Sequence, residues 1–258
     1  MKQTKRLVVK VGTSTLTYET GHLNIRRIEK LVKVLADLKN SGIQIALVTS
    51  GAIGVGVGEL GLTERPSDTP TKQAAAAIGQ CELMYLYDQL FAGYHQKVAQ
   101  VLLTKDVIDD DLRKYNVINT LDKLMELDVV PIINENDTVS VEEIVFGDND
   151  TLSALVAILC DADLLVLMSD IDGLFDKNPK EHADAKLLHE IHTINESIEA
   201  LAGGAGSSRG TGGMITKIHA AKLANSRGID MMIVNGEDPD NLYRIFDGEQ
   251  IGTRFFAE

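Results

Sequence analysis

Only two cysteines occur in the chain, Cys81 and Cys160, far apart in stretches that read as helical. So sparse a pair excludes a disulfide scaffold and predicts reduced core thiols. Positive charge is also short: 25 Lys and Arg against 38 Asp and Glu leave a formal charge of −13. That balance argues against a duplex nucleic-acid binder, and an anionic ligand must find its positive charge locally. No apolar run reaches the roughly 18–20 residues that span a bilayer. The opening MKQTKRLVVKVGTS has only a short apolar segment, broken by Lys10, which fits neither a signal peptide nor an anchor. The expectation is a soluble, cytoplasmic protein without a membrane partner. The six histidines form no His-Glu-x-x-His or Cys/His set, so no protein-held metal is expected. Internal repeats and low-complexity tracts are missing too.

What is present is an ordinary globular composition, 44% hydrophobic, over 258 residues, long enough for one large α/β unit. Apolar runs at residues 7–11, 43–48, 98–103, 129–133, 164–168 and 229–234 read as buried strands. Helical periodicity fills most of the intervals: residues 23–38, closed by Gly42; the long run from Lys72 to Tyr94; residues 111–128; and TLSALVAIL after Asp150. A short helix, PDNLYRIF, follows the last of these strands. This βαβ alternation predicts a single domain over 1–258. Its form is a three-layer αβα sandwich with a mainly parallel, doubly wound central sheet. Residues 62–71, with Pro66 and Pro70, read as an exposed mobile loop or as a lid over a neighbouring site.

The most informative stretch is AGGAGSSRGTGGMITKIHAAKLA, a Gly/Ser loop over 203–213 that passes into a helix at Met214, with Lys217 in its first turn. Glycines expose backbone amides to an anion, yet such loops are also hinges, and Thr216-Lys217-Ile218 does not match the Gly-Lys-Ser/Thr of a P-loop. Gly56, Gly58 and Gly61 satisfy G-x-G-x-x-G by accident, since they begin too late after the strand for a dinucleotide fingerprint.

Strand ends supply further candidates. Lys10 lies inside an apolar strand, which is costly unless its ammonium emerges at the ligand-binding edge or, on an edge strand, in solvent. Ser50 and Gly51 follow the second strand; Asn134, Glu135, Asn136 and Asp137 follow another; Ser169, Asp170 and Asp172 follow a third and also fit a solvated turn. Asp148, Asn149 and Asp150 precede a helix, where Asp150 suits an N-cap, and TVSVEEIVF between the two acidic clusters reads as a hairpin that joins them. Two lysines and many amides on one sheet edge suit phosphoryl transfer.

The segments KVGTST, VTSGAIGVG, VPIINENDTV, FGDNDTLSA, LMSDIDGLF and GTGGMITK together resemble the amino acid kinase family over essentially the whole chain. SDIDGLF recurs across that family, whereas INENDTV joined to FGDNDTLSA is much more specific to its glutamate 5-kinase branch. The resemblance implies transfer of the ATP γ-phosphoryl group, with Mg²⁺ carried by the nucleotide, to the side-chain carboxylate of L-glutamate, the first step towards proline. It assigns Lys10 and Lys217 to the moving phosphoryl group, Asp150 to holding them, and the Gly12 and Gly51 amides to the reacting oxygens. Ser50, Asn134, Asp137 and Asn149, with Gly51 and Asp148 beside them, go to glutamate. Ser169, Asp170, Thr211, Gly212, Gly213, Met214 and Lys217 go to the nucleotide. A homodimer or homotetramer and proline feedback are implied by analogy. Relatives often carry Thr where Ser169 stands, and many have a C-terminal PUA module for which no sequence follows Glu258. The rivals are family kinases for acetylglutamate, aspartate, carbamate, UMP or isopentenyl phosphate, and a non-catalytic nucleotide- or metabolite-binding module.

Overall fold

The first strand, β1 (Arg6–Val11), is buried at every residue but Arg6. Such two-sided burial is what a parallel sheet sheathed by helices requires. The computed structural model describes residues 4–18, 20–140, 149–203 and 213–257. The other strands there are β2 (Gln44–Val48), β3 (Lys97–Leu103), β4 (Val129–Glu135), β5 (Leu164–Ser169), β6 (Glu190–Ile191), β7 (Asp230–Asn235) and β8 (Thr253–Phe255). They form one sheet in the order β3-β4-β2-β1-β5-β7-β8-β6, parallel except where β8 meets β7. β1 is therefore central, which removes the edge-strand reading of Lys10.

Helices α1 (Thr13–Leu16), α2 (Ile25–Asn40), α3 (Ala52–Glu59), α4 (Thr69–Ala92) and the late α9 (Asn241–Phe246) contribute to the core on one face. On the other face lie α5 (Asp111–Glu126), α6 (Asn149–Leu159), α7 (Glu196–Gly203) and α8 (Met214–Asn225). These are the three layers expected. Alternate β1 residues serve the two faces: Leu7, Val9 and Val11 pack on the first core and Val8 on the second, so Lys10 shares Val8's side.

The chain leaves β1 and β2 toward the first face but β4 and β5 toward the second. Crevices consequently open at the carboxyl ends of the strands, among them one between β2 and β4 and one between β1 and β5, the positions where doubly wound sheets bind ligands.

Local details depart from expectation. Residues 13–15 form the single-turn α1 rather than a loop. Thr69, Pro70 and Thr71 belong to α4, not to the preceding loop. Asp68 caps that helix by accepting from Thr71 N, and Pro70 suits a first turn where its missing N–H has no intrahelical partner. Gly56 lies inside α3, and its role is packing: a Cβ there would fall 1.8 Å from the Ala75 carbonyl oxygen of α4. Gly79 of α4 returns the contact, since its Cβ would fall 1.9 Å from the Ala52 oxygen. Cys160 is buried as expected, but Cys81 is exposed on α4 and is not a core thiol. Helix α7 had no counterpart in the sequence reading. No helix among the described residues is long and apolar enough to cross a membrane.

Candidate active site

Lys10 is the penultimate residue of β1, in register with Val48 of β2 and Leu167 of β5. Its Nζ lies 2.7 Å from Asp150 Oδ1. Lys217, in the first turn of α8, places its Nζ 2.9 Å from Asp150 Oδ2. Thr216 Oγ stands 2.9 Å from the same oxygen and 2.7 Å from the Gly213 carbonyl. All three charged groups are buried. Asp150 is the second residue of α6, inside the helix and not at the position before it, and its carboxylate meets both lysines.

Burial is the largest influence on the Asp150 carboxyl and pushes its pKa up, but the charges and hydrogen bonds of Lys10 and Lys217 outweigh it. The group is held well below the usual carboxylate range. Two cations on one anion leave one positive charge in excess, confined where water screens it weakly. An anion arriving at the strand ends meets that charge. Gly12 borders this charge: a Cβ there would sit 3.8 Å from Lys10 Nζ, an ordinary contact distance.

In the other crevice, three side-chain amides are chained from α6 through β4 to α4. Asn149 Nδ2 shares its protons among Thr49 O at 2.8 Å, Ser50 Oγ at 2.9 Å and Asn134 Oδ1 at 2.9 Å. Asn134 Oδ1 also accepts from Glu135 N, while its Nδ2 donates to Gln80 Oε1 at 2.8 Å. Gly51 turns the chain from β2 into α3 at φ +94°, a left-handed conformation that favours glycine. Asp137 is buried, and its Oδ1 has no hydrogen-bond partner. Burial first, and then the negative charge of Glu135, push its pKa up to about 7.

Ser169 ends β5, and its hydroxyl donates to Asp170 Oδ1 at 3.1 Å. Gly213 and Met214 open α8. Lys10, Asp150 and Lys217 are thus brought together, as are Ser50, Asn134 and Asn149. Asp148, Thr211 and Gly212 lie outside the described residues, together with most of the expected hairpin and the Gly/Ser loop from 204 onward. Sequence reasoning missed Gln80 and passed over Thr216. Gln80 had a signal: it occupies the buried stripe of α4 with Ala76, Leu83 and Tyr87, a register normally apolar.

The profile of the amino acid kinase family matches residues 5–235. A glutamate 5-kinase of Clostridium perfringens (strain 13 / Type A) is 54% identical over 262 residues, covering 100% of this chain and 97% of that protein. Glutamate 5-kinases of Listeria monocytogenes (serovar 1/2a) and Clostridium tetani are each 52% identical. They are spanned to 95% and 96% of their lengths and cover 100% of this chain. Among solved structures, carbamate kinase from Giardia lamblia bound to AMP-PNP aligns with a TM-score of 0.69 at 14% identity, over 100% of both chains. The isopentenyl phosphate kinase of T. acidophilum aligns with a TM-score of 0.64 at 18% identity, over 97% of this chain and 99% of that one. These last two likenesses concern the fold. The chain belongs to the amino acid kinase family, in its glutamate 5-kinase branch.

Proposed function

We propose that this chain transfers the γ-phosphoryl group of ATP to the side-chain carboxylate of L-glutamate, yielding L-glutamyl 5-phosphate for proline synthesis. The observation that carries the reading is the pair of lysines clamped on Asp150 beside an amide-lined crevice. A carboxylate acceptor is already ionised, so no general base is needed and catalysis reduces to alignment and charge stabilisation. Repulsion between acceptor and phosphate is the obstacle. Two unit charges 4 Å apart at an effective dielectric of 20 repel by roughly 4 kcal/mol. Lys10 and Lys217 offset that repulsion, and Asp150 keeps both ammonium groups aimed.

ATP enters as its Mg²⁺ complex, the metal carried by the nucleotide, along Gly12, Ser169, Asp170 and the segment Thr211, Gly212, Gly213 and Met214. Glutamate lies against Ser50, Gly51, Asn134, Asn149 and Asp148, with its ammonium on Asp137. The buried Asp137 oxygen without a partner favours a free amino group over an N-acetylated one. A homodimer or homotetramer and proline feedback belong to this reading by family analogy, as does residence in the cytoplasm, where ATP is supplied. Sedimentation with and without proline tests the first two.

Coupled ADP release over glutamate, N-acetylglutamate, aspartate and carbamate is the test of the acceptor. Turnover is expected with glutamate; its absence there, or preference for N-acetylglutamate, overturns the assignment.

A further inference from the structure

Gln80 lies in the middle of α4 and is 8% exposed. Its Oε1 accepts from Asn134 Nδ2, whereas its Nε2 is shielded from solvent and has no hydrogen-bond partner. Unpaired buried donors are uncommon in folded proteins and demand a reason.

The direction of the amide chain is set by backbone groups at two points. A backbone N–H can only donate, so Glu135 N makes Asn134 Oδ1 an acceptor and leaves Nδ2 facing Gln80. A carbonyl can only accept, so Thr49 O makes the Asn149 nitrogen a donor and turns its Oδ1 away. The chain therefore ends in an unpaired donor, Gln80 Nε2, and an unpaired acceptor, Asn149 Oδ1, with Asp137 Oδ1 as a further acceptor. An α-amino acid has the complementary pattern: its ammonium donates and its α-carboxylate accepts.

We propose that Gln80 is a specificity-determining residue of the acceptor site, its Nε2 donating to the substrate α-carboxylate while its Oε1 holds Asn134. The inference rests on the acceptor being free glutamate, as above. The other side-chain amide and ammonium donors of this crevice are engaged. Asn149 Nδ2 serves three acceptors, Asn134 Nδ2 serves Gln80, and Lys10 serves Asp150 at the reacting end; Ser50 keeps one hydroxyl proton. Gln80 Nε2 shares a carbon with the oxygen that touches Asn134, so the donor lies beside a residue of the same crevice.

Gln80→Glu keeps the side-chain length and the acceptor for Asn134 but replaces the donor with an oxygen. Glutamate then meets repulsion at its α-carboxylate, whereas L-glutamic acid α-amide, which retains the reacting carboxylate, can donate to the new group. The expected result is a KM for glutamate raised about tenfold or more, with KM for ATP within about twofold. The kcat/KM ratio of α-amide to glutamate should rise by about tenfold or more, because a site built around one hydrogen-bond pattern rejects its inverse. Gln80→Met removes both polar atoms without adding charge and serves where the first variant does not fold. It should raise the same ratio by a smaller factor. Glutamate turnover by the parent chain is measured first, and its absence would remove the acceptor assignment itself. Parent turnover with an unchanged α-amide to glutamate ratio in the folded variant would overturn the role of Gln80 alone. So would an equal loss toward glutamate, α-amide and ATP.

Discussion

Lys10 and Lys217, from opposite ends of the chain, meet on the two oxygens of a single carboxylate, 2.7 Å and 2.9 Å from Asp150. The cluster holds two positive charges and one negative. Deleting a lysine leaves a balanced pair, whereas deleting the carboxylate leaves two buried ammonium groups facing each other.

Stability should follow that asymmetry. Lys10→Met and Lys217→Met are expected to stay within roughly 1–2 kcal/mol of the parent in urea unfolding, while Asp150→Asn loses roughly 3–5 kcal/mol. Because the Asp150 pKa is depressed in the fold, its contribution is present above the ordinary value of 3.8 and is lost as pH falls below it. The parent should therefore lose stability on acidification more steeply than Asp150→Asn. Equal destabilisation by all three substitutions would contradict this electrostatic account.

Asp137 titrates in the opposite sense. With its folded pKa raised to about 7, it is neutral below that pH and ionised above it. An ammonium partner needs the ionised form, so KM for glutamate should rise by up to about tenfold per unit as pH falls below 7. Stability runs the other way: a raised carboxylate pKa favours the fold at low pH, and that contribution is lost as pH rises from about 4 to 7. Asp137→Asn should bind glutamate weakly with a flat pH profile and melt above the parent at pH 8. A parent KM independent of pH between 6 and 8 would exclude Asp137 as the ammonium partner.

The crossing of α3 and α4 sets both Gly51 and Gln80 in place, and it depends on two helical glycines. A methyl at Gly56 would lie 1.8 Å from a backbone oxygen, and one at Gly79 would lie 1.9 Å from another, so neither can be relieved by a side-chain rotation. Gly56→Ala and Gly79→Ala should each cost roughly 2 kcal/mol or more, despite the helical preference for alanine. Thermal melting reads this directly, and an unchanged midpoint would mean that the helices do not cross here.

Much of this architecture was legible because parallel strands buried on both faces announce themselves as apolar runs, and Lys10 stood out as the lone charge within one. Ser50, Asn134, Asn149 and Asp150 were legible as polar groups at element ends, where open sheets bind ligands. Gln80 was not recognised, since it lies in a helix interior among alanines and its meaning comes only from reaching Asn134 of β4. Asp150 shows the converse: an N-cap was the local expectation, and contacts with residues far away in sequence decided otherwise. Pro70 misled because proline marks loops and first helical turns alike.

The two lysines are assigned to stabilising a phosphoryl group as it moves to a carboxylate. The most direct test of that role is hydroxylamine trapping of an acyl phosphate from ATP and glutamate, in the parent chain and in Lys10→Met and Lys217→Met variants shown to be folded by circular dichroism. Hydroxamate is expected from the parent, with kcat lower by about a hundredfold or more in each variant. Near-parent kcat in either folded lysine variant would contradict that role.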